Sequence, residues 1–162
     1  MKKTLFLFIA LLTTTFLYAQ NVPDFTQIKL EKPDDYRASN TYALVAANAL
    51  LSNPIDKDKI DRLNCQKFLA KWMSGTPDYG FTFGNSEKNL SNDPNLLGIY
   101  MASMVKFCLE NKVQSTEQEK IKLGSWKILL AYCDNPANDV RVTRKLKKLI
   151  EADKKGELAQ NL

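Results

Sequence analysis

Apolar positions recur along this chain at helical spacing, in stretches separated by polar or proline-marked breaks. From Asp34 to Ser52 the run Tyr42 to Leu51 is alanine-rich and nearly continuous in apolarity, and Ala46, Ala47 and Ala49 would let a neighbouring helix approach closely. Asn53-Pro54 closes it, because a residue before proline avoids the α region. From Asp56 to Ser74, the residues Cys65, Phe68, Leu69, Trp72 and Met73 fall on one helical stripe, followed by Gly75 as a C-terminal cap. From Asp93 to Asn111, Asp93-Pro94 supplies an N-cap and a first-turn proline. Leu97, Tyr100, Met101, Met104, Val105 and Cys108 repeat the stripe there, and Leu96, Ile99 and Phe107 add a second flank, which makes this the expected central helix. From Thr116 to Cys133, a capping box at Thr116 and Glu119 leads into Trp126, Leu129, Leu130 and Cys133. A last helix starts near Asn135-Pro136 and carries Val142, Leu146, Leu149 and Ile150.

The pattern predicts an all-α domain over 34–155, with about five helices packed as successive antiparallel hairpins. An extended lead-in over 20–33 precedes it and a frayed tail over 156–162 follows. A faint internal echo supports stacked hairpins. With a shift of 58 residues, Tyr42 falls on Tyr100, Leu51 on Leu109, Asn53 on Asn111, Leu63 on Ile121 and Phe68 on Trp126. The unit matches none of the common repeat periods.

One segment breaks the helical rhythm. Residues 76–91 exceed the roughly 2–8 residues of most helix–helix connections. Tyr79, Phe81 and Phe83 alternate there with other residues, which reads as an extended stretch with its rings on one side. Together with Trp72 and Asp78 they form the candidate binding site, a groove or loop presented to a partner. The opposing reading is that the loop folds back and its rings cap the core.

The N-terminus changes the picture. Lys2 and Lys3, the apolar run Leu5 to Leu12 and the small-residue exit at Ala19 have the layout of a secretory signal peptide over 1–19. The run falls short of the roughly 20 apolar residues that span a bilayer. The expected location is periplasmic or secreted, with no membrane span in the mature chain. Without Lys2 and Lys3, the 23 basic residues fall to 21 against 18 acidic ones, a net +3. That charge gives no case for nucleic acid. The one basic cluster, Arg141 to Lys148, is read as a solvated helix face near a C-terminus, where cations suit the helix dipole.

The chain has no histidine, which removes Ser-His-Asp and Cys-His nucleophile pairs and His-containing zinc sites. It has no phosphate-binding glycine loop, and its three cysteines lack CxxC spacing, so no cofactor or metal is expected. Each cysteine sits on an apolar stripe, as a buried hydrophobe would. An oxidising compartment leaves one candidate disulfide, Cys65 with Cys108. Cys108 and Cys133 would lie roughly 20 Å apart in height across a hairpin, beyond the ~7 Å limit for bridging. Asp34, Asp35 and Asp78 are the acids that carboxylate catalysis would draw on, although helix starts and a turn account for them more simply.

The string Trp72 to Tyr79, with Leu97 to Ala102 downstream and the close at Gly156 to Leu158, resembles a group of uncharacterised secreted helical proteins of Bacteroidota. The resemblance implies export and an all-helical fold, and it carries over no catalytic residue. The expected function is a non-enzymatic binding module for a protein or peptide of the cell envelope. The alternatives are a carboxylate-dependent hydrolase of envelope polymers and a purely structural envelope component.

Overall fold

The structure, a computed structural model, describes residues 23–55, 60–90 and 92–162, apart from the side chain of Asn89. The expected signal segment, the first residues of the lead-in and the expected helix start at Asp56 lie outside the described residues. Those described form an all-α fold without strands. Its helices are α1 (Pro33–Ala38), α2 (Asn40–Ser52), α3 (Ile60–Gly75), α4 (Pro94–Asn111), α5 (Gln118–Asp134), α6 (Arg144–Lys154) and α7 (Leu158–Asn161). Turns of 3-10 helix occupy Phe25–Gln27, Glu87–Asn89 and Pro136–Asn138. No helix among the described residues is long and apolar enough to cross a membrane.

The helix count exceeds the expected five at both ends of the domain. The first expected helix is broken at Ser39, whose ψ of 4° leaves the helical range. Ser39, Asn40 and Thr41 are consecutive side chains that compete with the backbone for hydrogen bonds, so a break there costs little. At the other end, the tail expected to fray is helical and packed, with Leu158 only 2% exposed. Gly156 takes a left-handed φ of 76°. The Glu157 N–H donates to the Ala152 carbonyl at 2.8 Å and the Gly156 N–H to that of Asp153 at 2.9 Å. Those two bonds make a Schellman cap, which turns the chain back onto the domain.

The lead-in also packs. Asp24 caps the Phe25–Gln27 turn by accepting from the Thr26 N–H at 3.0 Å, and Phe25 stacks on Phe68 of α3 with ring centres 4.5 Å apart. Leu30 is buried beside them in the same core.

α4 is the central helix, as its two apolar flanks predict: Ile99, Tyr100, Ala102, Val105 and Cys108 are fully buried. α2 packs most extensively against it, and α3, α5 and α6 touch their chain neighbours in turn. Ala43, Ala46 and Ala47 of α2 have no exposure at all. The seam is edged by Lys106, whose Nζ donates to Asn48 Oδ1 at 2.8 Å. These two residues are separated by 58 positions, the spacing of the internal echo. α4 and α5 approach closely at Gly124, where a Cβ would lie 2.2 Å from the Phe107 ring.

Candidate functional site

The aromatic segment leaves α3 at Thr76, whose N–H still donates to the Trp72 carbonyl at 2.9 Å. Trp72 itself is fully buried and donates its indole N–H to the Tyr36 carbonyl at 3.1 Å. Tyr79 and Phe81 lie over it, with ring centres 5.9 and 6.0 Å away, both partly buried against the core. Asp78 pairs with Arg37 of α1 at 3.1 Å, and Arg37 also holds Asp34 at 3.0 Å. Gln118 of α5 fastens the segment by donating to the Gly80 carbonyl at 3.0 Å and accepting from the Thr82 hydroxyl at 2.8 Å. Trp72, Tyr79 and Phe81 thus come together as a cap on the core, and Asp78 is tied to α1. Phe83 stands apart: it is 49% exposed and meets the Tyr100 ring edge-on at 6.1 Å.

The residue that organises the rest of the loop is Glu87, which the sequence reading passes over. It is 2% exposed. Its Oε1 accepts from the Trp126 indole N–H at 2.7 Å and from the Tyr100 hydroxyl at 3.3 Å. Its Oε2 accepts from the Gly84 N–H at 2.7 Å. One side chain therefore joins the loop, α4 and α5. In the polar string from Asn85 to Asn89 nothing marks it out. The signal lies elsewhere: Trp126 and Tyr100 both fall on apolar stripes, and a buried indole N–H and phenol each require an acceptor. Burial, followed by the nearby Glu87 carboxylate, pushes the Tyr100 phenol above its ordinary pKa.

Beside this cluster opens a cleft of about 690 Å³ between the end of the loop and α6. Leu90, Leu96, Trp126, Leu146 and Leu149 form its apolar floor. Asp93 at its edge caps α4, accepting from the Asn95 and Leu96 N–H groups at 3.0 and 3.2 Å. Thr143 caps α6 by accepting from the Leu146 N–H at 3.3 Å. Arg141, Arg144 and Lys145 complete the rim. Their position corrects the sequence reading of the basic cluster. Arg144 and Lys145 occupy the first turn of α6, which contains no acid, and that is the positive end of the helix dipole. No carboxylate among the described residues pairs with Arg141, Arg144 or Lys145.

The remaining candidates are placed as follows. Cys65, Cys108 and Cys133 are buried free thiols, so the Cys65–Cys108 bond is not formed. Burial raises Cys65 to about 11, and Cys108 and Cys133 to about 12, which suppresses the reactive thiolate at neutral pH. Asp35 accepts from the Lys32 and Glu31 N–H groups at the start of α1, and those bonds lower its pKa. No group of three or more acidic, cysteine or histidine side chains able to hold a metal occurs among the described residues. Comparison with protein-family models, with curated proteins and with solved structures finds no match for this chain.

Proposed function

We propose that this protein is an exported, non-enzymatic binding module of the cell envelope, and that it recognises its partner at the cleft between the loop end and α6. The observation that carries this reading is the cleft itself. Its volume, about 690 Å³, lies within the range of ligand sites, and it joins an apolar floor to a rim of unpaired cations. Cations at a helix N-terminus each lose roughly 0.3–1 kcal/mol relative to a favourable end. A local rule broken without compensation inside the fold is the kind of feature that function explains. Phe83 is outside the cleft lining and offers a separate exposed apolar contact on the loop. A hydrolase would need a pair of acids facing the bond to be cleaved. Here Glu87 accepts hydrogen bonds on both oxygens and Asp93 caps α4.

The test is recovery of the tagged mature protein from native envelope extract, followed by native mass spectrometry. Val142 is exposed and stands on the cleft rim, so Val142→Trp obstructs the cleft without entering the core. A stoichiometric companion lost from Val142→Trp and kept by Phe83→Ala supports the cleft. A companion lost only from Phe83→Ala moves the site to the loop. The absence of any companion defeats the binding reading.

A further inference from the structure

We infer that the ligand of this cleft is a peptide chain end: a free C-terminal carboxylate preceded by an apolar last side chain. This rests on the binding reading above and assigns the chemistry of the partner. The two halves of the cleft call for different groups on one molecule. The floor of Leu90, Leu96, Leu146, Leu149 and the Trp126 ring accommodates one apolar side chain. The rim gathers Arg141, Arg144 and Lys145, against which the lining side chains set only Asp93, whose carboxylate is already engaged at the start of α4, while Ser86 on the same lining donates its hydroxyl to the Leu162 oxygen. The balance suits one anionic head group.

Arginine forks pair with a carboxylate through two parallel hydrogen bonds, and the N–H groups of Arg144 and Lys145, the two at the start of α6 that the Thr143 cap does not occupy, add donors aimed along the helix axis. Capture of a chain-terminal carboxylate by backbone N–H groups is an established mode of peptide recognition. Two further rim groups suit a peptide better than a fatty acid. Asn92 is exposed on the cleft edge, with an amide that both donates and accepts. The Thr143 hydroxyl accepts from Leu146 and keeps its own proton to donate. A peptide backbone has amides to satisfy both, and an alkyl chain has none.

The two tryptophans make the test internal. Trp126 lies on the cleft floor, whereas Trp72 is buried between α1 and the start of the loop, so its indole N–H signal serves as the control. Full-length mature protein labelled with nitrogen-15 is titrated with acetyl-Ala-Ala-Leu bearing a free carboxylate, with the same peptide as its C-terminal amide, and with dodecanoate. The expected result is a saturable shift of the Trp126 signal with the acid, at least ten-fold weaker binding of the amide, and no movement of Trp72. Arg144→Gln/Lys145→Gln, at exposed positions, should bring the acid down to the affinity of the amide and leave the amide unchanged. Val142→Trp should remove both.

Equal binding of acid and amide overturns the carboxylate assignment. Dodecanoate binding as tightly as the peptide acid overturns the peptide in favour of an amphiphile. If no probe moves Trp126 while the envelope companion is still lost from Val142→Trp, the ligand class is wrong and the binding module stands. If the companion is also absent, the binding reading itself has failed.

Discussion

The α2–α4 seam and the loop–α6 end are held together by different means. α2, in which Ala43, Ala46 and Ala47 are fully buried, packs on the largely buried α4, and among the described residues the polar exchange between them is that of Lys106 with Asn48 at the margin. At the other end a carboxylate, an indole and a phenol are buried together, next to an open cleft rimmed by cations. The seam depends on close approach of apolar surface, which is insensitive to direction. The loop end depends on a few directed hydrogen bonds, each costly to leave unmade. The first arrangement builds a scaffold, and the second positions a surface on it.

The contrast can be broken most strongly at Glu87. Glu87→Ala leaves the Trp126, Tyr100 and Gly84 donors unmatched, and should destabilise the protein by about 4 kcal/mol in urea unfolding. Glu87→Gln keeps the packing and one acceptor oxygen and should cost less than half of that; a loss equal to that of Glu87→Ala would mean that both carboxylate oxygens are required, and no loss at all would mean that the side chain acts by packing alone. At the seam, Ala47→Leu forces a larger side chain into full burial and should cost about 2 kcal/mol. If Ala47→Leu is neutral, the helices are not in close contact there.

A smaller effect concerns the thiols. Cys108 and Cys133 rise from an ordinary value near 9 to about 12. Folded and unfolded chains both hold these protons below pH 9. Above it the unfolded chain releases them first, so stability falls as pH rises from about 9 toward 12. The drop in Tm between pH 8 and 10 should be shallower in Cys108→Ala than in the parent, and parallel curves would remove the thiols from the explanation. All three cysteines should react with a thiol reagent only after unfolding. The smallest expected change is in Phe83→Ala, below about 0.5 kcal/mol, because the ring is half in solvent already.

What the sequence makes legible follows the same division. The bounds of α4 are readable because Asp93 and Pro94 act locally, and the stripes of α3, α4 and α5 are readable because periodic burial is written in residue types. The start of α6 is not readable in this way. The Asn135-Pro136 signal is genuine but is spent on a single 3-10 turn, capped by the Asn135 side chain. The chain then runs on through Asp139, at a left-handed φ of 52°, and helix resumes only after Thr143. That displacement is what moves Arg144 and Lys145 from an expected C-terminal face to an N-terminal rim. Ser39 and Gly156 set breaks whose geometry depends on what packs beyond them. Glu87 is invisible for a related reason: its role exists only once donors from two distant helices converge on it. The aromatic loop was half legible, since alternation identified rings sharing a side but not that Phe83 would face outward while Tyr79 and Phe81 face in.

The convergence on Glu87 also imposes an order of events. Its two aromatic donors come from different helices, so the carboxylate finds both partners only after α4 and α5 have docked. Until then the second half of the loop lacks its bonds to α4 and α5, and the cleft beside it lacks the Trp126 part of its floor. The shape of this end of the molecule is therefore a property of the assembled helices and not of the loop alone.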